Sequence, residues 1–334
     1  MASKDQPLLS VRDLVVEFYS DRGWERVVNQ VSFDVAEGET LGIVGESGSG
    51  KSVTCMALTG LIPMPPGRIA GGSVLLEGRE LVGLSGKSLE SIRGAQIANI
   101  FQEPMTSLNP AFTVGEQIAE MVRLHKQQNK TDAWQTAVAM LDRVGIPNAR
   151  GRATEYPHQF SGGMRQRVMI AMAVSCEPKL LIADEPTTAL DVTIQAQVLD
   201  LLKDMQQEFK MSVIFITHDL GVVANICDRV VVLYGGKVME EAPINDLYLH
   251  PSHPYSEGLL TAMPQLGARA GRLASIPGST PVPSALPKGC VFHPRCPYAI
   301  DRCQNDEVPL IEVGPGRLSR CVRTADLDLV GTAS

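Results

Sequence analysis

The chain has 334 residues, 44% of them hydrophobic and 20% charged, with a formal net charge of −7. That length and apolar content suit one full hydrophobic core and a smaller appended one, and the acidic balance excludes strong non-specific binding to nucleic acid. The longest apolar stretches, Val168 to Cys176 and Val230 to Tyr234, fall well short of the roughly 20 residues that a membrane helix needs.

The first residues, Met-Ala-Ser-Lys-Asp-Gln-Pro, lack the apolar core of a signal peptide, which predicts a cytoplasmic compartment. Residues 8 to 40 hold short alternating runs, Leu14-Val15-Val16-Glu17-Phe18 and Val31-Ser32-Phe33-Asp34-Val35, that predict an antiparallel sheet. Thr40-Leu41-Gly42-Ile43-Val44 then reads as a buried strand, and Val53-Thr54-Cys55-Met56-Ala57-Leu58 as the opening of a helix. Between them stands Gly45-Glu46-Ser47-Gly48-Ser49-Gly50-Lys51-Ser52, which fits the phosphate-binding loop pattern G-x-x-x-x-G-K-[S/T] with the flanks that loop requires. Glycines let the backbone curl so that successive N–H groups and the helix N-terminus surround a phosphate. Lys51 adds a point charge toward the outer phosphates, and the Ser52 hydroxyl is suited to magnesium. The plainer alternative is a Gly/Ser-rich surface turn.

Residues 114 to 174 predict a helix-rich region. Within it Thr131 is the expected cap of a helix through Ala133 to Leu141, and Gly145 its end. Ser161-Gly162-Gly163-Met164-Arg165-Gln166-Arg167 leads into the helical run Val168 to Ala173, which places small residues and N–H groups at a helix N-terminus. This is a second phosphate-binding end. One chain cannot readily fold both ends onto one phosphate, so the second is expected to serve a nucleotide held by another subunit, and dimerisation would complete the site. Leu180-Leu181-Ile182-Ala183-Asp184-Glu185-Pro186 is an apolar strand ending in two acids, with Asp184 expected to bind magnesium through water and Glu185 to polarise an attacking water. Two solvated acids at a strand end are the plain reading of that pair.

From about Pro251 onward Pro, Gly and Cys become dense, which predicts a C-terminal module over 251–334 after a domain spanning 8–250. Cys55, Cys176 and Cys227 lie in apolar contexts and read as small core residues. Cys290, Cys296, Cys303 and Cys321 all fall in the final module, where four thiols in a proline-rich tail point to metal ligation more than to disulfides. The spacing is not the C-x-x-C of a zinc ribbon, and a four-iron, four-sulfur cluster suits four cysteines with Pro297 after Cys296. Zinc, free thiols and disulfides stay open as alternatives, and His293 is a substitute ligand candidate or a surface turn residue. The default role for such a cluster is structural, since a loop-rich tail lacks apolar residues for its own core.

Taken together these residues resemble the ATP-binding cassette family over about residues 8 to 250. The order is the family's: the phosphate loop at 45 to 52, Gln102 after a strand, the signature at Ser161 to Gln166, the acidic strand Leu180 to Asp184 and the catalytic carboxylate Glu185. Ala189-Leu190-Asp191 and then His218, after Val213-Ile214-Phe215-Ile216-Thr217, complete it. The resemblance implies an α/β cassette with a RecA-like core, an antiparallel β-subdomain and a helical subdomain, two cassettes sandwiching two ATP molecules head to tail. It implies that Gln102 contacts magnesium and senses a membrane subunit, and that His218 holds the γ-phosphate. Strand register and family pattern favour Phe18 for stacking on the base, with Tyr19 the runner-up. Phe160 stands where leucine is commoner in the family, and an apolar residue is retained.

The segments Gln102 to Pro110, Tyr156 to Met164 and His250 to Leu260 resemble the ATPase subunits of oligopeptide and dipeptide importers, the dipeptide permease subunit most of all, and the tail resembles the cysteine-bearing tails of that group. That likeness implies a second, different ATPase chain, two membrane permeases and an extracytoplasmic peptide-binding protein, with this chain at the cytoplasmic face of the cell membrane. Importers of nickel or other small solutes are the alternative within the family. Exporters, and soluble cassette proteins of translation or DNA repair, are alternatives outside that group.

Overall fold

The structure is a computed structural model that describes residues 6–102, 107–188, 190–263, 275–305 and 307–332. Its strands begin with β1 (Leu9–Ser20), β2 (Gly23–Val35), β3 (Thr40–Val44), β4 (Gly67–Leu76), β5 (Arg79–Glu80) and β6 (Ile97–Ile100). They continue with β7 (Leu180–Asp184), β8 (Ser212–Thr217), β9 (Arg229–Tyr234), β10 (Lys237–Pro243), β11 (Ile311–Gly314) and β12 (Arg317–Ser319). The contacts divide the chain into two compact units, one of residues 1–35, 40–82 and 216–334, the other of residues 36–39 and 83–215. The tail falls in the same unit as residues 45–52.

In the first unit β2, β1, β4 and β5 form an antiparallel sheet, with Leu9 opposite Val35 on one side and Leu76 on the other. The alternation read in residues 8 to 40 is therefore the pleat of a sheet with one buried face. β3 pairs in parallel with β9, Leu41 to Arg229 through Val44 to Val232, and its five residues are all buried. Such continuous burial is what a parallel strand requires. β9 turns back into β10 through Gly235 and Gly236, both at positive φ, and the C-terminal strands β12 and β11 add to the outer edge of β10.

The tail shares a buried aromatic cluster with the β9–β10 hairpin. Phe292 packs edge-on to Tyr234 with centroids 5.3 Å apart and against Tyr255 at 5.1 Å, and all three rings are fully buried. Arg320 fastens the same segment, donating to the carbonyls of Val238 and Val308, each at 2.8 Å. At Gly289 the backbone has φ +72 and the Cys290 N–H donates to the Cys303 carbonyl at 2.8 Å. A Cβ there would stand 2.3 Å from that carbonyl oxygen.

In the second unit β6 and β7 pair in parallel, Ile97 to Leu180 through Ile100 to Ala183. Helices at Val114–Lys126, Gly162–Val174 and Val192–Phe209 each start behind a side-chain cap, from Thr113, Ser161 and Asp191. The helix Lys130–Arg143 buries Ala133, Ala137, Met140 and Leu141, which are spaced for one face. Its cap is Asn129, not Thr131: the Asn129 carboxamide accepts from the Asp132 N–H at 3.0 Å, so the helix opens at Lys130 and Thr131 lies inside it. Gly145 follows the end as expected, at φ +76. Among the described residues no helix is long and apolar enough to cross a membrane.

Gly289→Ala should cost about 2 kcal/mol or more of stability, since both the left-handed backbone and the close carbonyl oppose a methyl group. Gly316→Ala, at φ +66 with nothing within 4 Å, should cost only about 1 kcal/mol. Urea unfolding midpoints of the two variants measure the difference.

Candidate functional site

The loop 45–52 curls where β3 ends. Gly50, at φ +100, is the residue before the helix Lys51–Leu58. A Cβ at Gly45 would meet the Leu233 carbonyl oxygen at 2.2 Å, and one at Gly50 the Val27 carbonyl oxygen at 2.9 Å, so the glycines answer a close approach of backbone as well as the curl. The turn of the β9–β10 hairpin fixes the loop from the other side, the Gly236 N–H donating to the Ser49 carbonyl at 3.0 Å. Lys51 is 6% exposed, and its ammonium donates to the carbonyls of Gly45 at 2.7 Å and Glu46 at 3.0 Å. Ser52 is half-buried one residue on.

Glu46 is tied on every side. Its N–H donates to the Tyr255 hydroxyl at 2.9 Å, and its carboxylate accepts from Thr280 Oγ1 at 2.9 Å and from both terminal nitrogens of Arg295, Nη2 to Oε1 at 3.0 Å and Nη1 to Oε2. Burial alone would push the Glu46 carboxyl up, but the bonds from Arg295 and Thr280 hold it below its ordinary value. Neither Arg295 nor Tyr255 was legible as part of this loop, since both lie more than 200 residues away. The one signal was Glu46 itself, an acid inside an anion-binding loop.

Register puts the two aromatic candidates on opposite faces of β1. Glu17 pairs with Arg26 and Arg68, and Tyr19 with Trp24, whose ring centroid lies 5.3 Å from that of Tyr19 and 3.8 Å from the Arg68 guanidinium carbon. Phe18 alternates to the opposite face, the face of Val16, where its ring meets Gly67. Val28, opposite Val16, reaches the Gly50 position of the loop. Phe18 thus shares the sheet face of Val16, and Tyr19 lies on the other. His218 is exposed just beyond β8.

The second unit brings together another set. Gln102 Nε2 donates to Glu185 Oε2 at 3.0 Å, and the Thr188 hydroxyl donates to the same oxygen at 2.9 Å. Glu185 has φ +46, and it and Asp184 are half-buried at the end of β7, as the acidic strand implied. Thr188 was missed, its only signal being its place three residues after the acid. Glu103, Pro104, Met105 and Thr106, quoted for the importer resemblance, and Ala189 lie outside the described residues. Ser161 Oγ accepts from the Met164 N–H at 3.4 Å, and Gly162 opens onto free space. Gly163 has a packing reason besides: a Cβ there would lie 2.8 Å from Ile194. Asp191 accepts from the Ile194 N–H at 2.9 Å. Cys55, Cys176 and Cys227 are buried, as expected.

Cys290, Cys296, Cys303 and Cys321 are all free thiols and all line one small cavity, with His253 and His293 also on its wall. His293 Nδ1 sits 2.9 Å from the Cys290 carbonyl oxygen. Burial pushes the Cys296 and Cys321 thiols up to about 11 and raises Cys290. Among the described residues, however, no group of three or more His, Cys, Asp or Glu side chains is arranged to hold a metal ion, so the expected metal centre is not preformed here. Magnesium differs in kind, since it takes much of its coordination from nucleotide phosphates and water.

Comparison with known proteins agrees with the family resemblance. Residues 28–188 match the family described as ABC transporter, and residues 239–303 match the family described as oligopeptide/dipeptide transporter, C-terminal region. The chain is 53% identical over 319 residues to the oligopeptide transport ATP-binding protein OppD of Salmonella typhimurium, covering 96% of this chain and 94% of that one. It is 51% identical over 314 residues to the oligopeptide transport ATP-binding protein AppD of Bacillus subtilis, covering 94% and 96%. A dimeric structure of the ATP-binding cassette MJ0796 bound to ADP and Pi superimposes with a TM-score of 0.64 at 26% identity, covering 71% of this chain and 98% of that one. On this identity and coverage the chain belongs to the ABC transporter family, as an ATPase of the oligopeptide/dipeptide type.

Proposed function

We propose that this chain powers import of short peptides, hydrolysing ATP as one of two different cassettes that close head to tail under a pair of membrane permeases fed by an extracytoplasmic binding protein. The observation that carries the reading is identity above half, over nearly the whole chain, to oligopeptide transport ATP-binding proteins, tail included. The chain works at the cytoplasmic face, bound to its permeases. Those relatives carry oligopeptide names where the motifs resembled the dipeptide subunit most, so peptide length is a matter for the permease and binding protein. An importer of nickel or another small solute is the second reading.

In the proposed mechanism the N–H groups of Gly45 to Ser52 and the Lys51 ammonium bind the phosphates, Phe18 stacks on the base, and His218 holds the γ-phosphate. Glu185, oriented by Gln102 and Thr188, takes the proton of the water that attacks in line. Ser52, Gln102 and Asp184 supply the hard oxygen donors that would hold magnesium, which offsets the phosphate charge when bound. Ser161, Gly162, Gly163 and Asp191 serve the nucleotide of the partner cassette. The soft donors Cys290, Cys296, Cys303 and Cys321 match a four-iron, four-sulfur cluster in ligand type, with zinc as the alternative, and all four line one cavity, from which they would have to draw together to ligate a metal. A metal there would cross-link the tail.

Glu185→Gln should retain ATP, trap the closed dimer and slow turnover about 100-fold or more in the assembled transporter. A normal hydrolysis rate would sink the assignment. Uptake of labelled di-, tri- and longer peptides in cells carrying only that variant should fall, and unchanged uptake of all of them would turn the search to nickel and other solutes. For the base, Phe18→Ala should weaken ATP binding about tenfold, while Tyr19→Ala should leave it within about twofold. Anaerobically purified protein should carry about four irons per chain with matching acid-labile sulfide; stoichiometric zinc would select the alternative, and absence of both metals would refute ligation.

A further inference from the structure

We infer that Arg295, in the cysteine-bearing tail, is a positioning residue for nucleotide binding: it neutralises Glu46 and holds the first turn of the phosphate loop in its receptive shape. The inference rests on the reading of residues 45–52 as the ATP phosphate site.

The chemistry poses a problem that the arginine solves. A carboxylate within a loop built to receive a polyphosphate repels its ligand, at short range and in a partly desolvated setting where charges are weakly screened. Arg295 answers that charge with two parallel N–H to oxygen contacts, the geometry that only a guanidinium fork provides.

The arginine is the fixed partner of the two. Its side chain is 7% exposed against 28% for Glu46. Its Nε donates to the Pro277 carbonyl at 2.7 Å, Nη2 to the Ile276 carbonyl at 3.2 Å, and Nη1 to the Tyr234 hydroxyl at 3.3 Å. Every nitrogen of the fork is therefore engaged, and the group stands as a rigid post against which Glu46 is set.

From Glu46 the effect reaches the lysine of the loop. The Glu46 carbonyl is one of the two that seat the Lys51 ammonium, and its N–H is pinned by the buried Tyr255 hydroxyl. Releasing the carboxylate frees the residue between these two anchors, so the loss lands on the groups that meet the phosphates. Arg295 is a positioning residue that bonds the loop itself at Glu46. Its neighbour in sequence, Cys296, is on the wall of the thiol cavity, so the order of the tail and the affinity of the loop are joined through one peptide.

The test is equilibrium binding of the fluorescent analogue mant-ATP, with magnesium, to the full-length chain, beside the kcat and KM of the assembled transporter. Arg295→Ala should weaken binding about tenfold and raise KM more than it lowers kcat, as removal of one partner of a partly buried charge pair does. Adding Glu46→Gln to that variant should recover affinity to within about threefold of the wild type, because the uncompensated charge is gone. A merely structural role predicts no such recovery. Binding by Arg295→Ala within twofold of the wild type, or no recovery in the double variant, overturns the inference. If Arg295→Ala does not fold, Arg295→Lys carries the test: it keeps the charge and loses the fork, and affinity equal to the wild type overturns the inference. Lys51→Ala separates the two levels of argument, since mant-ATP binding unaffected by that change would refute the phosphate-loop reading itself.

Discussion

The structure of the first unit depends on how closely three stretches of backbone approach one another at the phosphate loop. Gly45 lies against the Leu233 carbonyl, Gly50 against that of Val27, and Gly236 against Val27 again, with Cβ positions that would all fall under 3 Å. No side chain fits at these contacts, so the loop, the strand β2 and the turn between β9 and β10 have a single way to meet. The curl that aims N–H groups at an anion is thus imposed from outside the loop as much as by its own glycines. The same turn receives the tail, since Gly235 packs against Leu286 and Val291. Loop, sheet and tail consequently share one junction.

What could be read from residues alone follows from how local the physical cause is. The phosphate loop, the buried strand before it and the acidic strand at 180–184 each declare themselves within ten residues, because backbone conformation, burial and charge act there at short range. The glycine at 145 was legible for the same reason. The cap of the helix 130–143 was not, because Asn129 and Thr131 are both competent caps and only the extended backbone at Asn129 decides between them. Arg295, Tyr255 and Thr280 were beyond reach, since a side chain that bonds a residue more than 200 positions away leaves no local pattern.

The tail illustrates the intermediate case. Its composition suggests a segment poor in apolar residues for a core, and four thiols offer one remedy. Packing supplies another: the buried cluster of Tyr234, Tyr255 and Phe292 joins the tail to the hairpin, and β12 adds to β10 by backbone hydrogen bonds. Composition reveals the deficit but not which surface makes it good. Gly163 shows the converse, a glycine that motif reasoning assigns to phosphate binding and that the approach of Ile194 would demand in any case.

The first unit is also discontinuous, with residues 83–215 intervening between β5 and the segment that carries β9. Strand β3 leaves the ribosome well over a hundred residues ahead of its parallel partner, which at about 5–20 residues per second is a delay on the order of ten seconds or more. Throughout that interval an apolar strand and a glycine-rich loop wait without the edge they will join. The ability to hold a nucleotide is therefore acquired late in synthesis, when the C-terminal strands arrive to close the sheet begun at the N-terminus.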